Sequence, residues 1–170
     1  FDGAYRWFQV RGLPLHDTSG HIARWYVLLS DIDDRKRAED VIRESERNLK
    51  LIIDTIPALA WSAGPDGSAE FFNEHYLEFI GLSADQASGW GWTAAVHPED
   101  LSGLSATWKR ILASEAPGEA EARLRRYDGD YRWFLFRTNP LRDETGTIVN
   151  WYGVNTDIED RKRAEAELRR

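Results

Sequence analysis

The sequence contains no cysteine and no methionine. The absence of cysteine excludes disulfide bonds, thiolate metal ligands, cysteine nucleophiles and covalently attached c-type haem. It also fits a reducing compartment, so we expect a cytoplasmic protein, although a longer parent chain could be membrane-anchored elsewhere. Because position 1 is not methionine either, we expect the chain to begin inside a longer protein.

Long apolar runs and a positive net charge are missing as well. No segment is apolar over enough residues to cross a bilayer, and no signal-peptide pattern is present, so we expect no membrane contact here. The net charge is −7 and the sequence pI is about 5.1, which argues against a nucleic-acid partner. The basic cluster at residues 161–163 lies beside acids, and we interpret it as a solvated helix face.

An internal repeat is the main organisational feature that the chain does have. Residues 1–44 align without gaps on residues 127–170, an offset of 126 positions (127 − 1). A repeat this long indicates tandem domains rather than a solenoid. Residues 1–30 are therefore predicted to be the C-terminal hairpin of one module, and residues 57–158 a complete second module. The shared positions include Gly3/Gly129, Tyr5/Tyr131, Trp7/Trp133, Phe8/Phe134, Pro14/Pro140 and Trp25/Trp151.

Turn residues divide both modules into antiparallel strands. In each repeat, two strand-like segments flank a four-residue turn with Asp first and Gly last, a common hairpin closure. Asp128-Gly129 predicts another turn after a strand, and Pro65-Asp66-Gly67 separates a further strand pair. The predicted strands are residues 5–15, 21–30, 58–63, 69–73, 119–127, 131–141 and 147–156.

Helical segments lie between these strands. Asn73–Ile80 is predicted to be a short helix that stops at Gly81. One longer helix within the module is predicted over Leu101–Ala113, with Asp100 as its N-cap. The element order predicts an α+β module with a five-stranded antiparallel sheet, short helices on one face of the sheet, and connecting and exit helices.

A helical linker is predicted over residues 31–56. Its seam positions are spaced 4, 3, 4, 3 and 4, as in the a/d seam of a coiled coil, over about three heptads. Glu39 and Arg43 flank the seam with the acid first, and Pro57 ends the pattern. We interpret the linker as a parallel two-chain coiled coil; an amphipathic helix packed on its own domain is the alternative. The seam residues are Ala38, Ile42, Ser45, Leu49, Ile52 and Ile56.

Each repeat ends in the same pattern, Asp-Ile-x-Asp-Arg-Lys, where a predicted strand passes into a charged helix. The acids of the pattern offer a capping oxygen and negative charge at the helix start. We therefore predict a signal exit at both places. Its residues are Asp31, Ile32 and Arg35 in the first copy and Asp157, Ile158 and Arg161 in the second.

With these exits the sequence resembles PAS domains, specifically the Trp-rich subfamily with a C-terminal PAC segment. The exits resemble the family's Asp-Ile-Thr-Glu-Arg motif, with Asp33 and Glu159 where Thr is usual. The segment Val96-His97-Pro98-Glu99-Asp100 also matches the family's pattern. The resemblance covers residues 57–158 fully and 1–30 in part, which leaves 31–56 as the linker and 159–170 as the start of an exit signalling helix.

The resemblance implies a sensory and dimerisation module of a multi-domain bacterial signalling protein. Sensor histidine kinases are the commonest hosts, and cyclic-dinucleotide enzymes come next. No phospho-acceptor, ATP-binding or cyclase motif is present, so this chain is not predicted to be an enzyme itself. We interpret it as a relay, in which a ligand or partner shifts the sheet against the helices and so moves the exit helix.

Two other functions stay open: a sensor with a bound cofactor, such as non-covalent flavin or another small ligand, and a purely structural dimerisation module. A homodimer is expected through the linker helix and the N-terminal hairpin. Without a partner, the apolar side chains of that hairpin would be exposed to solvent. These side chains are Phe8, Val10, Trp25 and Val27.

The histidines give little support for a metal or haem. His16 and His21 flank the first hairpin turn, but no third ligand is evident, and we predict no metal site. Haem-binding relatives place a histidine on the longer helix, which has none here, so haem is disfavoured unless His97 serves. Light-sensing relatives form a flavin adduct with cysteine, which this sequence lacks. The cofactor stays unknown, with none as the expectation.

The aromatic residues are expected to fill the core between the sheet and the helices. The alternative is a ligand pocket at the same place, with aromatic walls and two candidate polar groups, Arg137 and Asn155. The candidate wall residues are Trp61, Tyr76, Phe79, Trp92, Trp108, Trp133 and Trp151.

Overall fold

The computed structural model describes residues 3–169, and the chain divides into two compact units, Phe1–Leu51 and Ile52–Arg170. Residues 1, 2 and 170, at the outer ends of the predicted segments 1–30 and 159–170, lie outside the described residues. The first unit holds strands β1 (Phe8–His16) and β2 (Ile22–Asp31) and most of helix α1 (Asp33–Thr55).

The second unit contains one antiparallel sheet of five strands in the order β4-β3-β7-β6-β5. The first strand, β3, therefore lies beside the last, β7, in the middle of the sheet. The predicted α+β class and the five-stranded sheet are confirmed. The elements are β3 (Leu59–Ala63), β4 (Ala69–Phe72), α2 (Glu74–Ile80), α3 (Ala84–Ala87), a 3₁₀ helix (Gly91–Ala95), α4 (Pro98–Ser114), β5 (Gly118–Arg125), β6 (Tyr131–Arg142), β7 (Ile148–Asp157) and α5 (Glu159–Leu168).

One face of this sheet forms the core. Alternate side chains of the strands, such as Leu124 and Phe134, are buried against Tyr76 and Ile80 of α2 and Leu104 of α4. Side chains between them point to the other face, as the two-residue period of a strand requires. That other face is partly apolar and exposed. Its exposed apolar residues include Phe71, Tyr152 and Val154.

The helix starts follow local sequence. Asn73 caps α2, which ends at Gly81 in the left-handed conformation, and Ser83 with Gln86 forms a capping box at α3. The predicted N-cap of α4 is wrong: His97 caps this helix, and its ring Nδ1 accepts a hydrogen bond of 3.2 Å from Glu99 N. Proline at the first helical position places the cap one residue before it.

The first unit repeats part of the second at the level of register. Phe8 pairs with Asp31 across β1 and β2, and Phe134 pairs with Asp157 across β6 and β7, again 126 positions later. The register irregularity after Leu15 recurs after Leu141. All residues of β1 and β2 are exposed within the chain.

Helix α1 presents its predicted seam to solvent. Ile42, Leu49 and Ile52 are between 58 and 59 % exposed. None of the described helices is both long and apolar enough to cross a bilayer.

Candidate functional site

A cavity of about 40 Å³ lies between the sheet and helix α4. Of the predicted wall residues, Trp61, Tyr76, Trp92 and Trp108 line it. Residues that the sequence analysis did not assign to a pocket complete the wall. They include Gly67, Phe72, Leu104, Ile111, Phe136 and Thr138.

Two glycines make room for the tryptophans of this wall. A Cβ atom at Gly153 would lie 2.1 Å from the ring of Trp61, and one at Gly67 would lie 2.9 Å from Nε1 of Trp108. Both distances are far inside van der Waals contact. Trp108 also donates from Nε1 to the carbonyl oxygen of Gly67 at 3.1 Å, and its ring meets those of Trp61 and Trp151 edge-on at 5.6 Å each. The walls are therefore fixed by close packing.

The buried side-chain amide of Asn155 lies behind the wall of the cavity. Asn155 is 1 % exposed; its Oδ1 accepts from Trp61 Nε1 at 2.9 Å, and its Nδ2 donates to the Tyr76 hydroxyl at 3.2 Å. Burial raises the pKa of Tyr76 well above its ordinary value, so this phenol stays neutral. Asn155 thus orients two wall residues and does not line the cavity itself.

The remaining predicted wall residues lie elsewhere. Phe79 packs edge-on against Phe134 with ring centroids 5.0 Å apart, and Trp151 is buried behind Trp108. Trp133 and Arg137 occupy the alternate positions of β6 that face away from the helices, so their assignment to the pocket is corrected. The alternation of buried Phe134, Phe136 and Thr138 along β6 was the signal that could have separated the two faces.

Asn73 connects the start of the domain to the cavity helices. It is fully buried, and its Oδ1 accepts from Ala60 N and Tyr76 N at 3.1 Å each. Its Nδ2 donates to the carbonyl oxygens of Ile53 and Ala58 at 3.1 and 3.0 Å. One side chain therefore joins the end of α1, strand β3 and helix α2.

The second exit motif fastens α5 to β6. The backbone N–H of Ile158 donates to the carbonyl of Trp133 at 2.8 Å, and the N–H of Trp133 donates to the Glu159 carboxylate at 3.0 Å. That hydrogen bond, together with Arg163 at 3.1 Å, holds the pKa of Glu159 below its ordinary value. Asp157 accepts from Glu159 N at 2.9 Å and so binds the first amide of α5, one residue before the N-cap residue Ile158.

The first exit has the same construction 126 positions earlier. Ile32 N donates to the carbonyl of Trp7 at 2.9 Å, and Trp7 N donates to Asp33 at 3.2 Å. Asp33 is 3 % exposed and pairs with Arg37 at 2.8 Å. Because this bracing recurs, it is a property of the motif and not of one module.

A charged network on the outer side connects α4 to α5. Asp100 accepts from Nε, Nη2 and the backbone N of Arg123 at 2.8 to 2.9 Å, which lowers the pKa of Asp100. The Arg123 guanidinium lies 5.1 Å from the ring centroid of Trp133, and Lys162 of α5 lies 4.9 Å from the same ring. Glu121 forms ion pairs with Lys162 and Arg161, and these lower the pKa of Glu121.

Arg35, the arginine of the first exit, and His97 make local contacts. Arg35 is 3.8 Å from Glu39 within α1. The His97 ring meets Tyr131 edge-on at 4.6 Å, which fits its role as a cap. Within residues 3–169, no group of three or more histidine, aspartate or glutamate side chains is placed to hold a metal ion.

Comparison with known proteins agrees with the fold. The family model for the PAS fold matches residues 69–155, just over half of the chain. The uncharacterised protein y4lL of Sinorhizobium fredii is 32% identical over 166 residues, which are 98% of this chain and 20% of that protein. The peroxide stress-activated histidine kinase mak1 of Schizosaccharomyces pombe is 37% identical over 123 residues, which are 72% of this chain and 7% of that protein.

A solved structure extends the agreement to three dimensions. A sensory box histidine kinase/response regulator from Burkholderia thailandensis matches with a TM-score of 0.53 and 27% identity, over 71% of this chain and 92% of that chain. The chain spans a fifth or less of the length of the two curated relatives. The prediction of a sensory module with this fold is confirmed, and the chain belongs to the PAS fold family.

Proposed function

We propose that the second unit relays a change in packing at the wall of the interior cavity to the exit helix α5. The observation that carries this proposal is the continuous set of contacts from Asp100 through Arg123 and Trp133 to Lys162. Helix α4 contributes Leu104 and Trp108 to the cavity wall and Asp100 to these contacts, so a shift of α4 acts on Arg123 directly.

The size of the cavity favours an input that needs no bulky cofactor. Small-molecule sites usually have volumes of about 300–1,000 Å³, whereas this cavity has about 40 Å³ and an apolar wall. A flavin or haem does not fit such a space without rearrangement of the tryptophans. The same small volume supports the alternative of a purely structural dimerisation module, which the experiment below tests.

The proposal extends to the parent chain. Similarity to sensor histidine kinases supports a kinase as the output domain, with a cyclic-dinucleotide enzyme as the alternative. A cytoplasmic location is part of the same proposal. The equal register of the two hairpins supports assigning residues 1–30 to a preceding PAS module. The exposed seam of α1 supports a homodimer through residues 31–56, in which the seam would be buried.

The relay is tested by hydrogen exchange of the α5 amides, expressed relative to those of β7. Leu104→Ala removes part of the cavity wall on α4, and we expect α5 to exchange several-fold faster. Leu77→Ala is the matched control, because Leu77 is a partly buried leucine that packs on the core through α2. It should change the relative rate of α5 much less.

Trp133→Leu tests the route, because it removes the ring between Arg123 and Lys162 but keeps the backbone N–H that binds Glu159. In this background, Leu104→Ala should no longer change the relative exchange of α5. The relay is overturned if Leu104→Ala in the unaltered chain does not change the relative exchange of the α5 amides, or if Leu77→Ala changes it equally. Either result favours the purely structural dimerisation module.

A further inference from the structure

A groove with a volume of about 350 Å³ lies on the second unit beside the point where the chain enters and leaves the sheet. Its apolar wall is formed mainly by half-buried Phe79, which packs on Phe134, because Leu59 and Phe134 are only 2 and 3 % exposed. Pro57 completes this wall from the segment that follows α1. His75 and Asn155 add polar groups to the lining. The groove therefore has room and surface for the apolar body of a small molecule.

The rim of the groove carries arginines that pair with neighbouring acids. The side chains of Arg126 and Arg132 are each about one third exposed, and both line the groove. They also line an adjoining recess of about 380 Å³, to which Arg163 contributes a third guanidinium. All three guanidinium groups are ion-paired: Arg126 with Asp128 and Asp130, Arg132 with Asp157, and Arg163 with Glu159.

Arg132 has binding capacity left. Its Nε lies 3.1 Å from Asp157, and its two terminal amino groups have no hydrogen bond to another described residue. The outer edge of a guanidinium is the part that binds a carboxylate in a two-point arrangement. Asp130 and Asp157 also lie along these recesses. Their charges disfavour a doubly charged anion such as a phosphate monoester.

We propose that this groove binds a small organic carboxylate with an aromatic or aliphatic body. The carboxylate binds the free edge of Arg132 with Arg126 beside it, and the body packs on Phe79 and Phe134. This site is distinct from the interior cavity, since Phe79 and Phe134 do not line that cavity.

The position of the groove gives the ligand a route to α5. Asp157, which shares Arg132 with the ligand, also accepts a hydrogen bond from Glu159 N, the first amide of α5, at 2.9 Å. A carboxylate that draws Arg132 away from Asp157 therefore acts on the start of the exit helix. This effect rests on the proposed relay function, whereas binding itself does not.

The test is a calorimetric titration of the 170-residue chain with 3-phenylpropionate. We expect saturable binding that 3-phenylpropanamide does not reproduce, because the amide lacks the charge. Phenyl phosphate, with its second charge, should bind more weakly than the carboxylate. Failure of 3-phenylpropionate to saturate, or equal binding of the amide, overturns the site.

Variants locate the binding. Arg132→Gln should weaken binding of 3-phenylpropionate at least tenfold. Arg132→Lys keeps the charge but loses the two-point arrangement of the guanidinium, and it should weaken binding several-fold. Arg137→Gln is the matched control, since Arg137 is an exposed arginine on the same strand that pairs with Glu119. Equal loss in the control overturns the site.

Phe79→Leu should weaken binding through the apolar wall even if Arg132→Gln impairs folding.

Exchange of the α5 amides is a second readout that separates the site from the relay. If 3-phenylpropionate binds through Arg132 and speeds exchange of the α5 amides, both the site and the relay are supported. If it binds through Arg132 and α5 exchange is unchanged, the site stands and its link to the relay is refuted.

Discussion

At the scale of single residues, the interior of the second unit depends on positions where the repeat is not preserved. Gly153 and Asn155 correspond to Val27 and Leu29, 126 positions earlier. The glycine leaves space for the Trp61 ring, and the amide binds the indole N–H of the same residue. The two repeats therefore share their exits but differ at these two positions.

Gly153→Val, which introduces the residue of the first repeat, should destabilise the second unit. The new side chain starts inside the Trp61 ring, and overpacking of this kind costs about 1–3 kcal/mol or more. Urea unfolding followed by circular dichroism measures the loss in free energy of unfolding. Gly103→Ala is the control: its Cβ meets nothing within 4 Å in helix α4, so stability should rise by roughly 0.5–1 kcal/mol. A neutral Gly153→Val would mean that Trp61 is not packed on β7.

Asn73→Asp should cost about 2–5 kcal/mol of unfolding free energy. The carboxylate keeps the acceptor for Ala60 N and Tyr76 N but loses both donors, and places an oxygen against two buried carbonyls. Asn150→Asp, at an exposed amide whose contact is a weak 3.5 Å bond, should change stability little. Thermal unfolding of the two variants side by side distinguishes these outcomes, and equal melting temperatures would contradict the role of Asn73.

At the scale of elements, α5 is attached to the sheet almost entirely by charge. No residue of α5 is buried, and its contacts to β5 and β6 run through Glu121, Lys162 and Glu159. Charged contacts at a partly exposed surface are weak individually and depend on pH and salt. A helix held in this way is suited to release, whereas α4, with buried Leu104 and Trp108, is not.

Acid should release the start of α5. Because the folded-state pKa of Glu159 lies below its ordinary value of 4.5, its contribution is present above that pH and is lost as pH falls through the lowered pKa. The amide resonance of Trp133, which donates to this carboxylate, should therefore shift with a midpoint below 4.5.

Glu159→Gln should abolish this titration, since the glutamine side chain carries no charge to lose. Glu167→Gln, in the same helix, should leave it intact. A Trp133 amide that titrates unchanged in Glu159→Gln would show that another acid controls it.

At the scale of the whole molecule, the exposed seam of α1 and the fully exposed hairpin β1–β2 are unfavourable in a single chain. An isolated two-stranded hairpin is marginal in water. Association of two copies along α1 would bury the seam.

Leu49→Asp should shift the chain from dimer to monomer, because it puts a charge into the proposed seam. Leu51→Asp is closely matched, since the two leucines are 58 and 57 % exposed on the same helix and only Leu49 is a seam position. Sedimentation equilibrium at micromolar concentration compares them with the unaltered chain. A monomeric unaltered chain, or equal effects of both substitutions, would refute the coiled coil.

The sequence alone determined the order and type of the elements. The repeat, the Asp-Gly turns and the 3.5-residue seam are local patterns, and the structure places the seven strands within three residues of the predicted ends. Local sequence also specified where each exit helix begins, because the acids and the isoleucine of the motif are adjacent in the chain. Its bonds to Trp7 and Trp133, 26 positions from Asp33 and Glu159, depend on the tertiary structure.

Only the tertiary structure decided which side chains meet across the sheet. The hydrogen bonds between Asn73 and Ala60, between Asp100 and Arg123 and between Trp61 and Asn155 join residues 13, 23 and 94 positions apart. A shift of one residue in strand register reverses the face of every side chain, and composition does not fix that register. The volume of the cavity depended on the same packing, because the positions of two glycines set how closely the tryptophans approach.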